Sequence, residues 1–146
     1  MAGTVIADNL QAASTSQLIL KNGVANTPPT IQDSAGTQVG TFCRAWVNFN
    51  GTGTVAIRAS FNVSSITDNG VGDYTVNFTT AMPDANYAVN VSQTGFSTAN
   101  LGGGSFISGT QSGGATLKTT TQLRVQSFVN TTSTGDYAEY NCAVFR

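Results

Sequence analysis

From Val39 onward, apolar and polar positions alternate with the period of two that a half-buried β-strand imposes. The clearest run covers residues 41–50. Cys43, Ala45, Val47 and Phe49 share one face, while Phe42 and Trp46 stand on the other beside Arg44 and Asn48. Both faces carry apolar groups, which predicts that one lies against core and that another element partly covers the second. Asn50-Gly51-Thr52-Gly53 reads as a tight turn. The run that follows, 54–60, places Val55, Ile57, Ala59 and Phe61 inward and Thr54, Ala56, Arg58 and Ser60 outward, so the two runs form a hairpin. In that hairpin Arg44 and Arg58 are expected to face each other, a like-charge pair that needs an acid between them, with Asp73 or Glu139 as the candidates.

Shorter runs continue the pattern. Residues 63–66 lead into a turn at 68–73, residues 74–78 and 87–91 alternate, and 80–86 reads as a loop. A short piece around Phe106-Ile107 lies between glycine-rich stretches, and 122–129 and 137–145 complete the set. At least seven strands are thus expected after residue 40, and no window carries the period of a long amphipathic helix. Turns recur about every ten residues, as in all-β sandwiches and small barrels. The expected fold is an all-β, antiparallel β-sandwich of jelly-roll-like type over residues 41–146.

Residues 1–40 differ. Two short apolar pieces, Thr4-Val5-Ile6 and Gln17-Leu18-Ile19-Leu20-Lys21, are separated from the rest by a turn signal at Asn22-Gly23 and by Pro28-Pro29, which forbids regular strand pairing. Residues 30–36 read as one more short strand ending in a turn. This segment has too little apolar surface for a core of its own. It is expected to be an arm that packs on partner subunits or on a larger particle, with Val5, Ile6, Leu18 and Leu20 as the docking residues.

Composition narrows the functional classes. Only 9% of residues are charged, against about 25% in an average domain, so Thr, Ser, Asn, Gln and Gly must supply the polar surface. Such a surface loses little charge-desolvation energy on burial and suits subunit packing or neutral ligands such as sugars. The net charge of −1 offers no basic footprint for nucleic acid and no pull toward anionic lipid. The apolar runs fall far short of the roughly 20 residues of a membrane span, so no membrane insertion is expected. Met1-Ala2-Gly3-Thr4 shows no positive n-region before an apolar stretch, which points to a chain that stays where it is made or leaves within an assembly. Cys43 and Cys142 match no zinc or redox spacing and are expected to be buried thiols, with a disulfide between the first and last strands of the domain as the alternative.

Catalytic and cofactor chemistry finds little purchase. The chain has no histidine, which removes the commonest general base and transition-metal ligand and any Ser-His-Asp or Cys-His constellation. Gly102-Gly103-Gly104 lacks the Gly-Lys-Ser/Thr of a phosphate-binding loop. Asp136 and Glu139 are the best local carboxylate pair but sit beside a turn, where capping is their expected role. Asp68 and Asp73 flank Asn69-Gly70 without the full oxygen pattern of a calcium loop, which favours Asx-turn chemistry. No enzyme activity, no cofactor and no metal are expected. Trp46, Tyr74, Tyr87, Tyr137 and Tyr140 combine an apolar ring with a polar handle and are expected mostly in core or interface packing. The stretches 94–115 and 130–136 are Gly/Ser/Thr-rich and little needed by a core. They make Phe96, Asn100, Phe106, Asn130, Asp136 and Tyr137 the candidate ligand contacts.

One block is more specific. Arg44-Ala45-Trp46-Val47-Asn48-Phe49-Asn50-Gly51-Thr52-Gly53-Thr54-Val55-Ala56-Ile57-Arg58 continues through Phe61-Asn62-Val63-Ser64-Ser65-Ile66-Thr67-Asp68 and Gly72-Asp73-Tyr74-Thr75-Val76-Asn77-Phe78, and closes at Ala81-Met82-Pro83-Asp84-Ala85-Asn86-Tyr87. It resembles the C-terminal domain of a family of bacteriophage tail fibres and related virion fibres, closely over residues 40–92 and only in style beyond. The opening Met1-Ala2-Gly3-Thr4-Val5-Ile6 also resembles the start of short phage fibres, whose arm docks onto the particle. The resemblance implies a homotrimeric structural protein of the virion, assembled in the host cytoplasm. Its arm would contact other virion proteins and its tip domain the host surface, by way of a cell-surface glycan. Phe42 and Trp46 would serve trimer packing. Family members place a long shaft between arm and tip, whereas here the two adjoin, so a capsid decoration, cement or head-fibre protein that stabilises the particle is the alternative.

Overall fold

The computed structural model describes residues 29–94, 105–106, 118–128 and 133–146, with Ser105 and Phe106 described through their backbone alone. Every described element is a strand: β1 (Ile31–Gln32), β2 (Gln38–Gly40), β3 (Cys43–Asn50), β4 (Ala56–Phe61), β5 (Val63–Gly70), β6 (Asp73–Phe78), β7 (Ala88–Thr94), β8 (Ser105–Phe106), β9 (Gln122–Ser127) and β10 (Glu139–Phe145). They form three sheets: a two-stranded ribbon β1-β2, a four-stranded sheet in the order β4-β3-β10-β7, and a second in the order β5-β6-β9-β8. All pairings are antiparallel.

The ribbon follows from its turn. Asp33 Oδ1 accepts the backbone N–H groups of Ala35 and Thr37, both at 2.9 Å, and Gly36 supplies the positive φ of 82° that closes it. The larger sheets follow from alternation. Inward residues Ala45, Val47 and Phe49 of β3, Tyr74, Val76 and Phe78 of β6, Leu123 and Val125 of β9, and Tyr140, Cys142 and Val144 of β10 belong to one hydrophobic cluster. The inner faces of the two four-stranded sheets are therefore buried together; of the Cys43, Ala45, Val47 and Phe49 face of β3 the last three are core, while Cys43 is half-buried beyond the extra residue at Arg44.

The chain passes from the first sheet to the second through a single residue, Asn62, between β4 and β5. It adopts φ 56°, the left-handed region in which Asn is among the few tolerated side chains. Its amide then holds the corner. Nδ2 donates to the carbonyls of Arg44 (3.0 Å) and Thr80 (3.1 Å), and Oδ1 accepts the Thr80 N–H at 2.7 Å.

At the far end an aromatic cluster joins the sheets. Phe49 stacks on Tyr140 with ring centroids 4.8 Å apart, and Tyr74 meets both edge-on, at 5.3 Å from Phe49 and 4.9 Å from Tyr140. Gly51 is required beside it, because a Cβ there would overlap the Tyr140 ring and lie 2.7 Å from the Tyr74 hydroxyl. All four tyrosines are buried: Tyr74, Tyr87, Tyr137 and Tyr140. Burial raises the Tyr87 hydroxyl to about 12. It keeps the Tyr74 hydroxyl neutral as well.

Three expectations are corrected. The β3-β4 hairpin forms, but its register shifts between Asn48↔Ala59 and Phe49↔Ile57, so Arg58 is an extra residue on β4. Beyond the bulge the parity of β4 flips, and Phe61, expected inward, stands directly across from exposed Trp46 and is itself exposed; Ala59 is exposed too. Arg58 therefore does not face Arg44. Its guanidinium donates to the Ala138 carbonyl at 2.5 Å and lies 3.7 Å from Glu139. Asp73 pairs instead with Arg124. Cys43 and Cys142 are both free thiols, on the adjacent strands β3 and β10, Cys142 buried and Cys43 half-buried.

Candidate interaction face

The two four-stranded sheets turn chemically different outer faces to their surroundings. On the β5-β6-β9-β8 sheet the outward side chains are Ser65, Thr67 and Asn69 of β5, Thr75 and Asn77 of β6, and Gln122, Arg124 and Gln126 of β9. They are bonded to one another. Asn77 Nδ2 donates to Ser65 Oγ (3.1 Å) and Thr67 Oγ1 (3.0 Å), and Asn69 Nδ2 donates to Thr75 Oγ1 at 2.9 Å. At one end Asp73 gathers Arg124 in a bidentate pair, with Gln126 Nε2 donating at 2.8 Å. Burial pulls the Asp73 carboxyl upward, but the hydrogen bonds from Arg124, Gln126 and Asn69 outweigh it and hold the group below the ordinary carboxylate range. The polar groups of this face thus find partners in one another.

The outer face of the β4-β3-β10-β7 sheet is apolar. Alternation from the buried positions puts Trp46 of β3, Ala143 and Phe145 of β10 and Phe61 of β4 on it. Of the seven large hydrophobic side chains exposed among the described residues, three, Trp46, Phe61 and Phe145, belong to this face. The others lie in the ribbon (Ile31, Val39), just before β3 (Phe42) and in a turn (Val71). Scattered exposed hydrophobics are ordinary; a group on one sheet face marks a contact surface.

Register orders this face into rows. One row runs Phe61–Trp46–Ala143–Asn90 across β4, β3, β10 and β7, and the next runs Ala59–Asn48–Asn141–Ser92. In the second, Asn48 Nδ2 donates to Asn141 Oδ1 at 2.6 Å, and Asn141 Nδ2 donates to Glu139 Oε1 at 2.9 Å, which connects the amides to the Arg58–Glu139 pair at the end of the face. Ala143 carries only a methyl group between Trp46 and Asn90. The gap is a shallow hollow of about 180 Å³ lined by Trp46, Val47, Asn90, Ser92, Asn141, Cys142 and Ala143.

The sequence-derived candidates are distributed unevenly. Trp46 lies on the apolar face, as alternation implied, while Phe42 is exposed just before β3, beyond an extra residue at Arg44 that breaks the alternation between the two. Asp136 is half-buried, and its Oδ1 accepts the Gly72 N–H and the Tyr74 hydroxyl, both at 2.6 Å, so it braces a turn. Tyr137 is 5% exposed and donates its hydroxyl to the Phe128 carbonyl at 3.1 Å, leaving its ring no open surface. The backbone of Phe106 pairs with Gln126 in β8-β9. Phe96, Asn100, Asn130, Val5, Ile6, Leu18 and Leu20 lie outside the described residues. Asp136 and Glu139 are engaged separately, one with Tyr74 and the other with Arg58 and Asn141. Asp68 Oδ1 accepts the Gly70 N–H at 2.9 Å, the expected Asx turn. Among the described residues no cluster of three metal-ligating side chains occurs.

Phe61, Phe145, Asn90, Ser92 and the Asn48–Asn141 pair are the residues of this face that sequence reasoning did not single out. Period two marks Asn48, Asn141 and Phe145 as outward, but no local signal reveals the bulge that turns Phe61 out. No protein-family model, no curated protein and no solved structure matches the chain.

Proposed function

We propose that the chain is a structural protein of a bacteriophage virion, short and tail-fibre-like. Its N-terminal arm anchors it to the particle, and its β-domain, a jelly-roll-like sandwich, binds a host-surface glycan as part of a homotrimer. The observation that carries this reading is the contrast between the two outer faces. One is an apolar sheet face that carries Trp46; the other is a lattice of Asn, Thr and Ser side chains hydrogen-bonded to one another. A subunit that packs against neighbours on one side and meets solvent on the other has this division of labour. The low charge of the chain fits neutral ligands, and three weak sites held together gain avidity without any new contact. The lack of histidine and the structural use of Asp73, Asp136 and Glu139 support a non-catalytic role.

The test uses the purified full-length chain and the particle that carries it. Chain added to host cells before the phage is expected to reduce adsorption, and gold-labelled antibody is expected to decorate the tail. Labelling of the capsid, together with loss of heat resistance in particles lacking the chain, would replace the attachment reading with that of a capsid decoration or cement protein.

A further inference from the structure

The apolar face carries both a projection and a hollow, and neither can satisfy the other within one chain. Phe61 stands 54% exposed on β4, on one side of Trp46. The hollow opens on the other side of Trp46, above Ala143 and against Asn90 and Ser92. The indole ring is a wall between them. The hollow measures about 180 Å³, and a cavity of about 150 Å³ is enough to hold a benzene ring. A phenyl side chain therefore matches it in size.

We infer that Phe61 of one copy of this chain inserts into the hollow beside Trp46 of the next copy, so that the β4-β3-β10-β7 face is a head-to-tail interface between identical subunits. This deepens the assembly reading above and rests on it for the ring size of three. Three features favour a second copy as the occupant. Projection and hollow lie at opposite ends of the same Phe61–Trp46–Ala143–Asn90 row, so one copy can offer its Phe61 to the hollow of another, and the ring of three in the reading above is what makes that contact head-to-tail rather than reciprocal. Among the described residues no charged side chain lines the hollow, and Arg58 and Glu139 at the end of the face are matched to each other. A charged partner would bury its charge unpaired, whereas an identical face brings equally neutral chemistry. Finally, four strands about 4.8 Å apart and about seven residues long cover roughly 450 Å² in projection. With side-chain relief that is of the same order as the roughly 800 Å² per partner of a stable interface.

Side-chain ordering agrees with such a contact. The rim amides Asn48 and Asn141 are fixed to each other at 2.6 Å, so less rotamer freedom is lost when the face is covered.

The test is a directed cross-link in the full-length chain. In a Cys43→Ser, Cys142→Ala background, Phe61→Cys with Asn90→Cys is expected to oxidise into a covalent ladder ending at three chains, while neither cysteine variant alone cross-links. Light scattering on the native chain is expected to give three times the 15.1 kDa chain mass. Phe61→Glu, at an exposed position, is expected to give one chain mass with an unchanged far-ultraviolet dichroism spectrum. A native monomer, a Phe61→Glu variant of unaltered mass, or no cross-link between cysteines 61 and 90 would overturn the inferred contact. Dimers from Phe61→Cys alone would overturn it in favour of a two-fold interface. A ladder ending at four chains would leave the contact standing and overturn the trimer, one ending at two would show the contact reciprocated about a two-fold axis and overturn the head-to-tail arrangement, and failed adsorption blocking with an intact ladder would overturn host attachment alone.

Discussion

The Tyr74 hydroxyl lies 2.6 Å from Asp136 Oδ1, a contact between residues 62 positions apart that ties β6 to the segment entering β10. The same hydroxyl lies 2.9 Å from the Gly51 carbonyl, and Asp136 also accepts the Gly72 N–H, so three loops converge on one phenol. The Tyr74→Phe variant keeps the ring packing and removes only the oxygen. It leaves a buried carbonyl and a carboxylate short of a partner, which costs about 1–3 kcal/mol. Urea unfolding is expected to show that loss at unchanged slope.

Gly72 is the second part of this junction. Its φ is +66°, and a Cβ would sit 2.7 Å from the Ser127 carbonyl oxygen and 2.7 Å from the Gly135 amide nitrogen, both backbone atoms. Gly72→Ala combines a left-handed backbone with an overlap that no rotamer relieves, so a loss of more than about 2 kcal/mol is expected. Gly53, with φ +64° and nothing near its missing Cβ, is the control. Gly53→Ala carries only the backbone cost of about 1–2 kcal/mol. Thermal unfolding of the two variants side by side separates strain from crowding.

Asp73 makes stability depend on pH. Its folded carboxyl lies below the unfolded range, since hydrogen bonds from Arg124, Gln126 and Asn69 outweigh the upward effect of burial. A depressed folded pKa adds stability that is complete above the unfolded value of about 4 and fades as pH falls through the folded one. Asp73→Asn is therefore expected to destabilise the protein by about 2 kcal/mol near pH 7. The difference from the unsubstituted chain should shrink steadily in urea titrations run from pH 5 downward. A gap independent of pH would assign the effect to packing instead.

The two thiols differ in accessibility. Burial pushes Cys142 up to about 12, so almost none of it is thiolate at pH 8, and its side chain is packed in the core. Cys43, half-buried, donates to the Ala45 carbonyl at 3.2 Å. Reaction with a thiol reagent at pH 8 is expected to modify no more than one cysteine in the native protein and both after unfolding.

Much of the fold was already written in local periodicity. The alternation of β3 and β6, the turn at Asn50-Gly51 and the β5-β6 hairpin follow from spacing alone, because side-chain direction alternates residue by residue and needs no distant partner; the connection of that hairpin is Val71-Gly72 alone, since β5 runs on through Gly70 where the sequence predicts a turn over 68–73. The same rule put Trp46 on the side of β3 opposite Ala45, Val47 and Phe49. Three decisions belonged to tertiary structure. The extra residue at Arg58 turned Phe61 outward, because a bulge answers to the partner strand and leaves no mark in composition. Arg58 found Glu139 and Arg124 found Asp73, since pairing of charges 81 and 51 positions apart depends on strand order. Finally, both sides of β3 carry apolar residues, so periodicity could not choose between them. The second sheet made the choice by covering the Ala45, Val47 and Phe49 side, and so left Trp46 on the surface.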